Sequence, residues 1–152
     1  MTTASGERLD TSAVDHLFGF QLAIAAAQTR KVYQRHVGEP FDLRTVEFTL
    51  LMVLLKNTRV SPKQLARALA MTAPAITVLI DKMAARGLVE RRRSSTDGRA
   101  LEVLLTPEGD ALARTTHAKS LAMEDGLLQR LSPGERVMLR ELLVKFWGAA
   151  AV

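Results

Sequence analysis

Nine basic residues crowd into the stretch 59–99: Arg59, Lys63, Arg67, Lys82, Arg86, Arg91, Arg92, Arg93 and Arg99, set against three acids, Asp81, Glu90 and Asp97. Ammonium and guanidinium groups at this density can neutralise phosphates, and the forked guanidinium can also read a base edge or enter a narrow groove. The other residues carry 12 basic and 13 acidic groups, so the formal +5 is a local +6 against −1 elsewhere. A localised basic patch is the footprint of a phosphate backbone, and a solvated basic surface has the same composition. The elements that carry the patch must decide between the two.

Other chemistries find little to work with. No GxSxG, GxxxxGK[ST] or GxGxxG occurs, and the adjacent acids Glu124 and Asp125 would point about 100° apart on a helix, so no enzyme is expected. The three histidines lack HxxxH or HExxH spacing, and cysteine is absent, so neither a metal site nor thiol sensing is predicted. The amino-terminal residues lack the basic and apolar regions of a signal peptide, and the purest apolar run, 48–55, is far short of the roughly 20 residues a membrane span needs. With no cysteine, a cytoplasmic protein without a membrane partner is expected. At 152 residues, 47% hydrophobic and 24% charged, the chain reads as one folded domain, 1–152.

Apolar spacing places the elements. A helix begins near Val14 and stops at Gly38 with Pro40 just beyond; a second, 43–57, is apolar around most of its circumference, with Asp42 as its cap. Ser61, Pro62 and Gln64 form a capping box for a short helix to about Leu69. After three residues another helix starts, capped by Thr72 with Pro74 in its first turn, burying Ile76, Leu79, Ile80 and Met83 and ending at Gly87. Two strands, 88–93 and 100–105, flank the turn signal Asp97-Gly98. A helix of about 24 residues from Thr106 to Leu131 and a last one from the capping box Ser132-Pro133-Gly134-Glu135 complete the order α-α-α-α-β-β-α-α, with room for a short extra strand before the third helix.

Two short helices with a tight joint, followed by a basic hairpin, are the parts of a winged helix-turn-helix, here 42–106. A helix of 10 to 12 Å diameter fits the roughly 12 Å major groove, and an extended arginine-bearing loop fits the minor groove. The fold class is therefore mainly α with a small β hairpin. On the 72–87 helix, Pro74, Thr77, Val78 and Asp81 point outward, Lys82 lies on the flank, and Thr72 and Ala73 hold the amino end, whose free N–H groups suit a phosphate. Ser61 and Lys63, at the start of the preceding helix, join them as candidate DNA contacts.

The segment MTAPAITVLIDKMAARGLVERRRSSTDGRALEVLLTPEG, Met71 to Gly109, resembles the MarR-type transcriptional regulators in its recognition helix, Gly-Leu-Val turn, wing and LTxxG helix start. The spacing of Asp97 and Arg99 to Leu105-Thr106-Pro107-Glu108-Gly109 is the specific part of the match, and the helix order agrees along the whole chain. The resemblance implies a regulator, more commonly a repressor, that binds double-stranded DNA as a homodimer on a pseudo-palindrome. Arg99 would be the wing-tip arginine in the minor groove, with Asp97 holding the wing and Gly98 in its turn. Arg91, Arg92 and Arg93 would approach phosphates or pair with Asp97. Relatives often carry arginine near the positions of Ala73 and Val78; alanine and valine can touch thymine methyls but cannot fork onto guanine, so readout is expected to lean towards A·T.

The terminal helices, 11–38 and 107–148, expose more apolar face than a winged helix of about 65 residues covers. Phe18, Leu128, Leu143, Phe146 and Trp147 are the expected dimer seam, or else an intramolecular core. The resemblance also implies a small aromatic or acidic effector, for which His16, Phe20, Arg30, Tyr33, His36 and His117 are candidate lining groups. No other cofactor is expected. The competing function is a dimeric winged-helix module that binds a protein or small molecule and no specific DNA.

Overall fold

The computed structural model describes residues 9–93 and 101–148. In chain order it contains α1 (Phe18–Tyr33), a π-helical turn (Gln34–Gly38), α2 (Glu39–Phe41), α3 (Thr45–Lys56), α4 (Pro62–Ala68), α5 (Ala73–Ala85), β1 (Val89–Arg93), β2 (Leu101–Leu105), α6 (Pro107–Ser120), α7 (Asp125–Leu128) and α8 (Pro133–Trp147). The mainly helical winged helix-turn-helix is the expected class. Among the described residues no single helix is long and apolar enough to cross a membrane.

The core lies between α3, α4, α5, the hairpin and the inner face of α6. Leu50, Leu51, Leu65, Ile76, Ile80, Met83 and Val103 are fully buried there, and Ala113 closes it from α6. β1 and β2 pair antiparallel with Val89 opposite Leu105 and Arg93 opposite Leu101. The extra strand expected before α4 is a single antiparallel bridge, in which the Val103 amide donates to the Val60 carbonyl at 2.8 Å.

Four details differ from the sequence-based expectation. The first helix begins at Phe18, because residues 11–17 close i to i+3 turns such as the Val14 amide on the Thr11 carbonyl, 2.9 Å. Gly38 and Pro40 do not stop it: Gly38 ends the π turn, and Pro40 stands in the first turn of α2, where no amide hydrogen is needed. Asp42 is not the cap of α3. It closes α2 in the left-handed region at φ 48°, and Arg44 takes the cap position, its amide donating to the Glu47 carboxylate at 2.8 Å.

The fourth concerns the helix expected over 106–131, which breaks after Ser120 and resumes at Asp125. There the amides shift to i to i+3 partners, Asp125 to Ala122 and Leu127 to Glu124, and the Ser120 hydroxyl donates to the His117 carbonyl at 2.8 Å. The tighter turn leaves Leu121 exposed and packs Met123 against the core. Apolar spacing runs through this break, so periodicity reads it as one helix.

Candidate nucleic-acid interface

The joint between α4 and α5 bends the chain by 108°, the angle of a helix-turn-helix. Ser61 caps α4 by accepting from the Gln64 amide at 3.3 Å, while Gln64 returns its amide oxygen to the Ser61 backbone at 2.8 Å. The turn is closed by Ala70 in the left-handed region, φ 51°, and by the Met71 amide on the Ala66 carbonyl at 2.8 Å. Thr72 then caps α5, accepting from Ala75 at 3.4 Å. The helix ends in a Schellman motif: the Gly87 amide reaches the Ala84 carbonyl at 2.9 Å and that of Leu88 the Met83 carbonyl at 3.0 Å, with Gly87 at φ 70°.

This framing fixes which face of α5 looks outward. Ile76, Leu79, Ile80 and Met83 are buried as expected, and Thr72, Ala73, Pro74, Thr77, Val78 and Asp81 are exposed, Val78 to 68%. The Thr77 hydroxyl donates back to the Ala73 carbonyl at 3.0 Å, leaving its lone pairs outward. Lys63 is exposed in the first turn of α4, whereas Ser61 is half-buried in its cap.

Behind α5 the LTxxG start of α6 acts as a bracket. The Thr106 hydroxyl donates to the Gly87 carbonyl at 2.6 Å and accepts from the Gly109 amide at 3.0 Å, joining the end of α5 to the start of α6. Gly109 lies so close to the Leu88 carbonyl that a side chain there would overlap it.

The charges are distributed differently from their reading in the sequence. Glu47, only 1% exposed, receives Lys82 Nζ at 2.6 Å, Arg44 Nε at 3.1 Å and Arg86 Nη1 at 3.4 Å. Burial pushes its carboxyl up, but the hydrogen bonds from Lys82 and from the Arg44 amide and guanidinium outweigh that and hold it below its ordinary 4.5. Lys82, expected on the DNA flank, therefore directs its ammonium inward. Arg91, expected at a phosphate or on Asp97, sets Nη1 2.5 Å from Asp81 Oδ1 and Nη2 3.5 Å from the Thr77 carbonyl, both on α5. Arg92 pairs with Glu90 at 2.6 Å, and Arg93 is exposed at the end of β1. Asp97, Gly98 and Arg99 lie outside the described residues. Glu47 and the Asp81 pairing were missed in the sequence; an acid three residues after a helix cap, inside an apolar run, was the available signal for Glu47.

The effector candidates do not gather in one place. Arg30 and Tyr33 share a cleft of 180 Å³ with Thr29, Thr45, Phe48, Thr49, Met123 and Glu124. Tyr33 is buried, its hydroxyl donating to the Leu43 carbonyl at 3.0 Å and its ring 5.6 Å from that of Phe48; burial and then the Glu47 charge push the phenol up to about 12. His16 precedes α1, Phe20 lies early in α1, His36 is exposed in the π turn and His117 is half-buried on α6, none of them lining that cleft.

Of the proposed seam, Phe18 and Phe146 are 79% and 68% exposed and flank an apolar groove of 400 Å³ with Leu22, Leu139, Leu142 and Leu143. They are no intramolecular core, because no residue of α8 from Pro133 to Phe146 is buried. Leu128 lines the neighbouring cleft with Leu139 and Leu143, and Trp147 ends α8.

Known proteins share this arrangement. The MarR family model matches residues 41–100, from the end of α2 to beyond the end of β1. An HTH-type transcriptional repressor of Mycobacterium tuberculosis is 31% identical over 106 residues, 70% of this chain and 76% of the relative. A probable transcriptional regulator from Pseudomonas aeruginosa superposes with a TM-score of 0.77 at 29% identity, covering 86% of this chain and 96% of its own. The transcriptional repressor CouR, solved bound to a 23-mer DNA duplex, shares the fold with a TM-score of 0.84 at 24% identity, over 93% of this chain and 99% of its own. The curated relative and the solved structures each cover most of the chain, which belongs to the MarR family of transcriptional regulators.

Proposed function

We propose that this protein is a repressor that binds double-stranded DNA sequence-specifically as a homodimer on a pseudo-palindromic site. The observation that carries the reading is the outward face of α5. Thr72, Ala73, Pro74, Thr77 and Val78 stand exposed at its amino half, on a helix held by caps at both ends and backed by a rigid core. Exposed apolar and hydroxyl groups on a helix of groove diameter suit base edges and thymine methyls. The phosphate contacts fall to Lys63 and Arg93, with Arg99 entering the minor groove from the wing.

The bare apolar surfaces of α1 and α8 supply the dimer contact, which sets two α5 helices about one turn of DNA apart. The Arg30 and Tyr33 cleft is the place for an effector. Its volume suits one small ring, with the guanidinium available to a carboxylate.

Fluorescence anisotropy against the protein's own upstream intergenic DNA and a scrambled duplex, at several salt concentrations, tests the proposal. Tight binding to the first alone with a steep negative salt slope is expected, and Arg99→Ala is expected to weaken it and shrink the slope by about one. Equal, feeble binding to both duplexes would overturn it in favour of a protein or small-molecule partner.

A further inference from the structure

We infer that Arg91 and Asp81 form a latch that fixes the wing to the recognition helix, so that both are positioning residues and neither contacts DNA. The inference rests on the DNA-binding reading above and changes what one of its arginines does. Arg91 is the third residue of β1, opposite Val103 in the ladder, and Val103 is fully buried. The strand is therefore held at its inner edge, and the Arg91 side chain extends from this fixed point across to α5.

There it meets two groups one helical turn apart. Nη1 is 2.5 Å from Asp81 Oδ1 and Nη2 is 3.5 Å from the Thr77 carbonyl, so the planar fork spans the helix surface along its axis. A guanidinium with two fixed acceptors loses little by holding one geometry, whereas a lysine would hold a single point. The side chains are 34% and 55% exposed, wet enough that the pair adds little to stability. Its effect is on orientation. β1 ends two residues beyond Arg91, so any roll of β1 relative to α5 is carried to the end of the strand.

The charge balance points the same way. Asp81 stands on the outward side of α5, where a bare carboxylate would repel phosphates. Paired with Arg91 it is neutral, and Arg91 has no charge left over for the backbone. Releasing either partner therefore has opposite electrostatic results: a free carboxylate repels DNA, and a free guanidinium attracts it without regard to sequence.

The test uses the full chain with Arg91→Ala, Asp81→Asn and the double variant, each checked by thermal melting to retain its fold. In the absence of DNA, hydrogen exchange of the β1 and β2 amides is expected to quicken in both single variants, and no further in the double. With the upstream duplex, Arg91→Ala is expected to lose about 10-fold in specific affinity while its salt slope changes by less than half a unit. Asp81→Asn is expected to bind scrambled DNA more tightly and to steepen the slope by about one, as the released guanidinium finds a phosphate.

A slope reduced by about one in Arg91→Ala, with unchanged exchange, would overturn the latch and make Arg91 a phosphate contact. Additive effects of the two substitutions on exchange would overturn it as well. Wild-type protein that binds both duplexes alike overturns the DNA reading itself, which the salt slopes of the variants cannot mimic.

Discussion

Gly109 illustrates how a single position can be fixed by backbone geometry. Its α-carbon faces the Leu88 carbonyl so closely that an added methyl would overlap the oxygen, and the obstacle is main chain, which has no rotamer to change. Gly109→Ala must push α6 off the end of α5 and weaken the Thr106 bracket, so a loss of about 2 kcal/mol is expected, read as a lower urea midpoint at unchanged slope. The LTxxG signature is legible in the sequence as a pattern, and the structure supplies its reason. The caps Ser61, Thr72, Thr106 and Ser132 were legible for a different cause: their partners lie three residues away, Ser132 for instance accepting from Glu135 at 3.4 Å. Glu47 was not, because Lys82 and Arg86 reach it from 35 and 39 residues further along the chain.

Between elements, the Glu47 cluster is what holds α3 to the recognition helix. Its carboxyl is lower in the folded protein than in the unfolded chain, so the folded state binds fewer protons in the acid range. The stability it adds is complete above its ordinary value of 4.5 and is lost as pH falls through the lower folded value. Glu47→Ala is expected to cost about 2 kcal/mol at pH 7, because its three cations can turn partly to water, and to flatten the stability profile below pH 4.5. Chemical denaturation of both proteins from pH 7 to pH 3 measures the two effects together. Elements with strong local punctuation, α4, α5 and the hairpin, lie where spacing and caps predict. The helix over 106–131 does not, since its apolar repeat continues through a turn made by i to i+3 hydrogen bonds and contact of Met123 with the core.

For the molecule as a whole, the apolar residues left bare by the core are concentrated on α1 and α8. Under the proposed dimer, Phe146→Glu places a charge in that seam and is expected to yield monomers by sedimentation at micromolar concentration. Specific DNA affinity should then drop by about 100-fold, as two half-sites no longer act through one particle. The orientation of this surface depends on the π turn at Gln34–Gly38, which accommodates one residue more than an α turn of the same length. Regular α winding of the same five residues would instead rotate everything before the turn by about 100° about the helix axis, the step of the one residue it absorbs. Phe18 and Leu22 would then face away from Leu139 and Leu143, with no residue of the seam itself altered. The turn is in effect the phase setting between the two halves of the chain.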